Sequence, residues 1–202
     1  MAVVLLALRP ERPLSQKGEA VLLDLVPPHR RQRLLRMPRP EERREPLCAY
    51  ALLRLALREA RGWERFPEVA LSPRGKPFFP EYPAVQFSLS HTRGAVMAGV
   101  GDLPLGVDIE QVRPLSPRQL ERLGGGTAEE FFPSWVRREA RSKRTGQGVA
   151  AFLRGEPPME DGEVYRAVET FPGYAAGIAC TRGENLLPVR LPALEELLGG
   201  LS

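Results

Sequence analysis

Residues 94–110 of this chain, GAVMAGVGDLPLGVDIE, contain two short apolar runs in succession. The runs, at residues 95–100 and 105–109, have the length and the composition of β-strands. Gly101 and Asp102 lie between them and form a dipeptide that is typical of a hairpin turn. The pattern predicts two strands joined by a tight turn, and we place the junction between two halves of the molecule at this stretch.

The second of these predicted strands carries two carboxylates. Because side chains alternate between the faces of a strand, Asp108 and Glu110 would lie on one face. A third carboxylate, Glu139, belongs to a predicted helix at residues 134–144. If the fold brings the three together, they form an all-oxygen site of the kind that Mg²⁺ prefers. The residues alone are equally compatible with a solvated strand face, and with an exposed ion pair between Glu139 and Lys143.

Length and charge favour a globular protein with an anionic ligand or an acidic partner. The chain has 202 residues, a net charge of +4 and a pI of about 9.4. It contains no helix-turn-helix, zinc-finger or aromatic-interleaved basic pattern that would indicate nucleic-acid binding. Among its 29 basic residues, only Lys17, Lys76 and Lys143 are lysines. A lysine, unlike an arginine, changes its pKa readily when it is buried, so these positions are of interest.

The first apolar run and the two cysteines bear on location. Residues 2–8 are too few to cross a membrane and follow no basic stretch, so they do not resemble a signal peptide. We therefore expect a cytoplasmic protein. Cys48 and Cys180 are too few for a disulfide framework and stand in apolar surroundings, so we expect both to be buried, reduced thiols.

The first half of the sequence predicts one principal helix and several strands. Leu53, Leu57 and Ala60 recur at helical spacing within residues 47–61, which indicates a long amphipathic helix. A shorter helix is expected at residues 15–25. The expected strands are residues 3–8, 85–89 and 95–100, with a turn-rich segment at residues 72–82.

The second half repeats this pattern around the predicted helix at residues 134–144. Thr127 and Glu130 have the spacing of a capping box, and Pro133 is expected to delay the regular helix until the next residue. Gly146 is expected to end the helix. The remaining expected elements are a short helix at residues 116–123, a glycine break at Gly124, Gly125 and Gly126, and strands at residues 163–170, 174–180 and 186–191.

These elements predict an α+β fold of two similar halves, residues 1–104 and 105–202. Each half would consist of a small antiparallel sheet packed with a principal helix. We expect a pseudo-twofold axis to relate the two halves. The second half would carry all three carboxylates and the principal helix to which Glu139 belongs.

Several short motifs follow one another in order along the chain. They are Gly75-Lys76-Pro77, Phe87-Ser88-Leu89-Ser90-His91, Gly106-Val107-Asp108-Ile109-Glu110 and Trp135-x-x-Arg138-Glu139-Ala140-x-x-Lys143. In this order and at this spacing, the set resembles the 4′-phosphopantetheinyl transferases of the Sfp type. The acidic strand motif alone would be weak evidence, whereas the ordered combination is specific.

The resemblance implies an enzyme that transfers the 4′-phosphopantetheine arm of coenzyme A to a serine of an apo acyl or peptidyl carrier protein. It implies dependence on Mg²⁺ or Mn²⁺, release of adenosine 3′,5′-bisphosphate, and a role in fatty acid or secondary-metabolite biosynthesis. We expect a monomer that binds neither nucleic acid nor a membrane. The alternative is a non-catalytic coenzyme A- or nucleotide-binding module that has lost its docking surface for the carrier protein.

The resemblance also implies roles for the acidic residues and for one lysine. Asp108, Glu110 and Glu139 would be the metal ligands, and Asp108 would also lie close to bound coenzyme A. Glu139 and Lys143 would be the catalytic residues, with Lys143 touching the phosphates and assisting the departing bisphosphate. Whether Glu139 or a metal-bound water accepts the proton of the serine stays open.

Three further segments would bind coenzyme A if the resemblance holds. The loop Gly75-Lys76-Pro77 would approach the adenine end of coenzyme A, with Lys76 supplying charge. Ser90 and His91 would contact its phosphates. In the basic stretch before the first principal helix, Arg44 is the candidate for binding the 3′-phosphate.

Two features depart from the family pattern. Arg138 stands where the family usually has lysine, which keeps the charge and allows bidentate pairing with phosphate. Asp108 and Glu139 are separated by 31 positions, fewer than in the well-known members. The shortened segment often meets the carrier protein in this family, so the identity of the carrier protein is left open.

Overall fold

The computed structural model describes residues 2–122, 126–148, 150–153 and 156–199. It has a mixed α+β fold, as predicted. The first part of the chain forms β1 (Ala2–Leu8), α1 (Gln16–Leu25), α2 (Pro28–Leu35), a 3₁₀ turn (Pro40–Arg43), α3 (Arg44–Arg61), β2 (Ala70–Leu71), β3 (Pro77–Phe78), β4 (Gln86–Thr92) and β5 (Ala95–Gly101). The second part forms β6 (Gly106–Gln111), α4 (Pro117–Arg122), α5 (Ala128–Thr145), α6 (Ala150–Leu153), β7 (Glu163–Ala167), β8 (Tyr174–Thr181), β9 (Asn185–Leu186) and α7 (Leu194–Gly199).

Most strands belong to one of two principal sheets. The first sheet has the order β4-β5-β1-β9, in which β5 pairs antiparallel with β4 and β1, and β9 pairs parallel with β1. The second has the order β6-β8-β7 and is antiparallel throughout. Strands β2 and β3 form a separate small hairpin. Helix α3 packs on the first sheet and helix α5 on the second.

The two principal sheets share one connectivity. In the first, β1 leads through α3 to the antiparallel pair β4 and β5, and β5 lies between β4 and β1. In the second, β6 leads through α5 to the antiparallel pair β7 and β8, and β8 lies between β7 and β6. The chain therefore follows the path of strand, principal helix and two strands twice.

Two apolar cores lie on the two faces of the first sheet. Alternate residues of β1 enter different cores: Leu6 packs with α3, whereas Leu5 packs with the second sheet. Because both of its faces are buried, β1 is a continuous apolar run instead of an alternating one. The layers follow the order α3, first sheet, second sheet, α5. Val107 and Ile109 of β6 point into the core between the sheets, so Asp108 lies on the opposite face, toward α5.

The predicted hairpin at Gly101 and Asp102 is wrong, because β5 and β6 belong to different sheets. Strand β6 pairs with β8 and packs against the face of β5. Gly99 permits this approach, since a Cβ at that position would lie 2.9 Å from Val107 Cγ1. A turn signal predicts that the chain changes direction, but it does not predict which sheet the next strand joins.

The capping box at Thr127 and Glu130 is confirmed, and α5 begins directly after Thr127. The Glu130 N–H donates to the Thr127 hydroxyl (3.3 Å), and the Thr127 N–H donates to the Glu130 carboxylate (3.0 Å). The expectation that the regular helix starts only after Pro133 is wrong, because Pro133 lies in its second turn. Proline removes one backbone hydrogen bond there, and the capping box offsets part of that loss. Gly146 ends the helix with φ of 70°, as predicted.

The last predicted strand, at residues 186–191, is shorter than expected. Two residues of β9 pair with β1, and Arg190 adds an isolated parallel bridge to Leu6. The sequence did not predict α7, whose Leu197 enters the core beneath α3. The end of the described chain thus returns to the first sheet, where it covers an edge that β1 would otherwise expose.

The remaining expectations compare simply with the structure. Cys48 and Cys180 are free and buried, as predicted. Within the described ranges, no helix is long and apolar enough to cross a membrane. Helices α1 and α3 and most predicted strands agree within a few residues, whereas α2 was not expected. The predicted glycine break falls partly on Gly124 and Gly125, which lie outside the described residues.

Candidate functional site

Hydroxyl groups of β4 connect the first sheet to β6 of the second sheet. Ser88 Oγ accepts a hydrogen bond from the Val107 N–H (3.0 Å), and Ser90 Oγ accepts one from the Ile109 N–H (3.4 Å). Both serines are buried. Hydroxyl groups of β4 therefore accept the backbone hydrogen bonds that a neighbouring strand would otherwise accept, and they hold β4 and β6 in a defined register.

Asp108 lies at the centre of the joint between β4 and β6, the region where Ser88 and Ser90 bind the β6 backbone. Its side chain is buried, and its Oδ1 atom accepts hydrogen bonds from Ser90 Oγ (2.7 Å) and Lys143 Nζ (2.7 Å). Its Oδ2 atom is also buried and has no hydrogen-bond partner among the described residues. A buried carboxylate oxygen without a donor is costly unless a ligand satisfies it. Asp108 thus has one oxygen bound by the protein and one available to a ligand.

Lys143 reaches Asp108 because α5 packs closely on β6. A Cβ at Gly106 would collide with the carbonyl oxygen of Ala140, so glycine permits this approach. Lys143 pairs with Asp108 and also donates to Ser90 Oγ (2.9 Å). These contacts join the last turns of α5 to the acidic strand.

Glu110 and Glu139 complete the predicted acidic trio. Burial raises the pKa of Glu139; Lys143 opposes this, while Asp108 and Glu110 add to it. Burial also raises the pKa of Glu110, against the hydrogen bond that the Thr92 hydroxyl donates to Glu110 Oε2 (2.8 Å). The three acids therefore lie within range of one another's charge. No three His, Cys, Asp or Glu side chains in the described part of the chain form a group that could hold a metal ion as they stand. The metal-ligand roles stay predictions.

A cavity of about 270 Å³ lies between the loop joining β2 to β3 and helix α5. It brings together the loop Gly75-Lys76-Pro77, Glu139 and Lys143 of α5, and Phe87 and Leu89 of β4. The remaining residues that line it are Arg74, Ser88, Ser142, Gly146 and Gly148. Segments that the sequence singled out at separate places therefore surround one cavity.

The ammonium of Lys76 contacts the end of α5. Its Nζ atom donates to the carbonyl oxygen of Arg144 in the last turn (2.7 Å), and a Cβ at Gly146 would lie 3.3 Å from the Lys76 stem. Burial, with a smaller effect of Arg144, lowers the pKa of Lys76 to about 8. A cation at the C-terminus of a helix is stabilising. Lys76 thus ties the loop between β2 and β3 to the end of α5, and its contact with coenzyme A stays a prediction.

A second cavity, of about 640 Å³, contains Arg44 and His91. Arg44 pairs with Glu45 Oε1 (2.7 Å). His91 keeps solvent access, yet burial of its ring against the cavity walls, followed by the charges of Arg30 and Lys143, lowers its pKa to about 4. The imidazole is therefore neutral at pH 7 in the protein without a ligand.

Ser90 and His91 face opposite sides of β4, so the structure separates the predicted pair. Ser90 lies in the acidic joint and His91 in the second cavity. The sequence did not single out Thr92, whose hydroxyl binds Glu110. The regular alternation of hydroxyl residues along β4 was the signal available for it.

Arg141, which the sequence also did not single out, anchors the opposite side of α5. It is buried and binds the buried Glu163 carboxylate through two hydrogen bonds, of 2.8 Å from Nε and 3.0 Å from Nη2. It also donates to Glu156 and to the carbonyl oxygens of Pro157 and Pro158. Arg141 and Glu163 are 22 positions apart, so no local pattern relates them. Their bonds hold α5 against β7.

Comparison with curated proteins supports the resemblance that the order of the motifs indicated. The 4′-phosphopantetheinyl transferase Sfp of Bacillus subtilis strain 168 is 23% identical over 217 residues, which cover 93% of this chain and 96% of that protein. The 4′-phosphopantetheinyl transferase ffp of Bacillus subtilis is 24% identical over the same shares. The 4′-phosphopantetheinyl transferase psf-1 of Bacillus pumilus is 35% identical over 89 residues, 38% of each chain. No family model matches the chain.

These relatives share one class of name, and two of them match almost the whole chain. The protein is therefore an enzyme of the transferase class. Over nearly its whole length, the chain is similar to Sfp-type 4′-phosphopantetheinyl transferases, as the order of its motifs predicted.

Proposed function

We propose that the protein transfers the 4′-phosphopantetheine arm of coenzyme A to a serine of an apo acyl or peptidyl carrier protein and releases adenosine 3′,5′-bisphosphate. The names of its relatives support transfer of this group. One observation carries the proposal: at Asp108, an ammonium and an unsatisfied carboxylate oxygen lie together beside the cavity that Glu139 and Lys143 line.

In the proposed reaction, the serine hydroxyl attacks the phosphorus that bears the pantetheine arm. A bond forms between the serine oxygen and that phosphorus, and the bond from the phosphorus to the bridging oxygen breaks. Adenosine 3′,5′-bisphosphate departs with the bonding electrons. Lys143 neutralises the charge that develops on the bridging oxygen and provides a proton for it. The serine proton goes to Glu139 or to a water at the acidic site: burial raises the pKa of Glu139 and favours it as the base, whereas a bound cation would make it a weaker one.

Asp108, Glu110 and Glu139 would hold Mg²⁺ or Mn²⁺ beside the phosphates. The chemistry of the donors suits such an ion, because all three are carboxylates and Asp108 Oδ2 is buried without a partner among the described residues, although as they stand the three form no group that could hold it. Carboxylate oxygens are the ligands that hard cations prefer. When bound, the ion would neutralise part of the pyrophosphate charge.

The two cavities would divide the binding of coenzyme A. The adenine end would lie against the loop Gly75-Lys76-Pro77 in the smaller cavity, and Arg44 and His91 of the larger cavity would bind phosphate. A bound phosphate favours the charged imidazole, so ligand binding would raise the pKa of His91. Ser90 would act on the phosphates through Lys143, to which it is hydrogen bonded.

We further propose that residues 1–104 and 105–202 are two halves related by a pseudo-twofold axis. The path of strand, principal helix and two strands that occurs twice supports this symmetry. The first half would provide the loops that bind coenzyme A, and the second the acids and α5. Because one chain supplies both halves, a monomer would suffice, and a water-soluble donor and acceptor suit a cytoplasmic enzyme.

The direct test is incubation with fluorescent coenzyme A and a panel of apo carrier proteins, with and without Mg²⁺. We expect covalent labelling of at least one carrier protein that requires the ion. Binding of coenzyme A in calorimetry without labelling of any carrier protein would instead support the non-catalytic module. Absence of both binding and labelling would overturn the proposal.

A variant separates catalysis by Glu139 from folding. Glu139→Gln should lower the rate of transfer by about 10²–10⁴-fold, because it removes a carboxylate proposed as base and metal ligand, while its melting temperature stays close to that of the unmodified protein. Glu129→Gln is the matched control, since Glu129 is an exposed residue in the first turn of the same helix. An unchanged rate in Glu139→Gln would remove the proposed role.

A further inference from the structure

The joint between β4 and β6 contains two hydroxyl–carboxylate pairs in matching register. Ser90 Oγ donates to Asp108 Oδ1 (2.7 Å), and Thr92 Oγ1 donates to Glu110 Oε2 (2.8 Å). The two donors are two residues apart on β4, and the two acceptors are two residues apart on β6. Because side chains recur every second residue on one face of a strand, a row of hydroxyls meets a row of carboxylates.

We propose that Ser90 and Thr92 are positioning residues that orient the two acids and leave an oxygen of Asp108 available to the ligand. The inference rests on the proposed function and specifies how its acidic pair is prepared. The Ser90 hydroxyl accepts hydrogen bonds from the Ile109 N–H and from Lys143, so its own proton is directed to Asp108 Oδ1. That bond restricts rotation of the carboxylate and leaves Oδ2 unbound within the described chain.

Thr92 performs the corresponding task for Glu110 at the edge of the larger cavity. Glu110 also lies 3.7 Å from an Arg113 guanidinium nitrogen, and the side chain of Arg113 is 53% exposed. An exposed arginine fixes a carboxylate poorly, since both long side chains lose entropy when they pair. The short, branched Thr92 side chain has few rotamers, so its hydroxyl fixes the carboxylate at a smaller entropic cost.

Thr92 gives a cleaner test than Ser90, because Ser90 also binds Lys143 and the β6 backbone. Thr92→Val replaces the hydroxyl with a methyl group of similar size and keeps the branched shape that suits a strand. Thr92→Ser restores the hydroxyl alone. Thr181→Val is the matched control, because Thr181 is a threonine on β8, the strand next to β6. It lies four positions beyond Gly177, the residue that pairs with Asp108, and so away from the acids.

The experiment measures Mn²⁺ affinity by electron paramagnetic resonance in the presence of coenzyme A, together with kcat and KM for transfer. Loss of a group that orients a metal ligand lowers affinity or activity by about 10–100-fold. We expect Thr92→Val to weaken Mn²⁺ binding about tenfold and to lower kcat more than it raises KM. We expect Thr92→Ser and Thr181→Val to bind Mn²⁺ as the unmodified protein does.

Three results would count against this role of Thr92. If Thr92→Val binds Mn²⁺ with the same affinity as the unmodified protein, the inference is overturned. Equal losses in Thr92→Val and Thr92→Ser would also overturn it, since they would indicate that shape matters and the hydroxyl does not. If the unmodified protein neither binds Mn²⁺ with coenzyme A nor labels a carrier protein, the proposed function fails first, and the inference fails with it.

Discussion

Helices α3 and α5 each pack on one of the two principal sheets, yet they bury different kinds of side chain. Each has 18 residues and follows the first strand of its sheet. The buried residues of α3 are mostly apolar, and Leu47, Leu52 and Leu53 have no exposed surface. The buried residues of α5 include Arg141 and Ser142. The same path of the chain therefore builds an apolar core against the first sheet and a polar support against the second.

The difference shows how a helix can be held for two purposes. Apolar burial stabilises α3, but it is non-directional and tolerates small shifts of the helix. The two bonds between Arg141 and Glu163 have defined directions and limit rotation of α5. Limited rotation keeps Lys143 against Asp108, where a small shift would break a 2.7 Å contact. The site thus lies where the support of the helix is directional.

The largest expected effect comes from removing that directional support. Arg141→Met should lower the free energy of unfolding by about 3–5 kcal/mol, because it leaves the buried Glu163 carboxylate without its ion-pair partner. Urea denaturation measures this loss. We also expect slower transfer by the folded fraction, since α5 is no longer held in one orientation.

Arg137→Met is the control for this change. Arg137 lies one turn before Arg141 on α5, but its side chain is 43% exposed and pairs with Glu156. The substitution should cost at most about 1 kcal/mol. The double variant Arg141→Met with Glu163→Gln should recover part of the stability. Equal losses in Arg141→Met and Arg137→Met would contradict a special role for the buried pair.

A smaller loss of stability, with no loss of catalysis, is expected in α3. Leu52→Ala should lower the free energy of unfolding by about 2–5 kcal/mol, because it opens a cavity in a fully buried core. The transfer rate of the folded protein should not change, since Leu52 supports the first sheet from the side opposite the acids. Denaturation measures the loss of stability, and the labelling assay measures the transfer rate, both below the melting temperature. A fall in kcat would show that apolar packing of α3 also positions the site.

The smallest expected effect is a dependence of stability on the protonation of His91, whose pKa is influenced by charges on both helices, Glu45 of α3 and Lys143 of α5. Burial, then Arg30 and Lys143, lower the pKa of His91 from 6.5 to about 4, while Glu45 of α3 acts in the opposite direction. Between about pH 4 and 6.5, His91 therefore binds fewer protons in the folded protein than in the unfolded chain, so the contribution of His91 to stability falls as the pH falls through this range.

An NMR titration of His91 should give a midpoint near 4, and coenzyme A should raise that midpoint. The variant His91→Gln should flatten the stability profile over the same range. A midpoint near 6.5 without a ligand would show that the ring is not crowded by the cavity and its cations.

Local patterns predicted the principal elements well, because their signals lie within one element. The capping box at Thr127 and Glu130 marked the start of α5, and apolar spacing marked α3. The pattern failed at Gly101, because a turn residue does not specify the sheet that follows. It also failed at Pro133, because the position of a proline within the helix decides its cost, and that position depends on where the helix starts.

By itself, the sequence identified the candidate residues for the chemistry. Strand alternation placed Asp108 and Glu110 on one face, and the order of the motifs indicated the family. Only the tertiary structure decided that Lys143 binds Asp108, 35 positions away, and that the ammonium of Lys76 contacts the end of α5. The physical reason is that contacts within an element follow its own period, whereas contacts between elements depend on how closely they pack. At Gly106 that packing rests on the absence of a single Cβ.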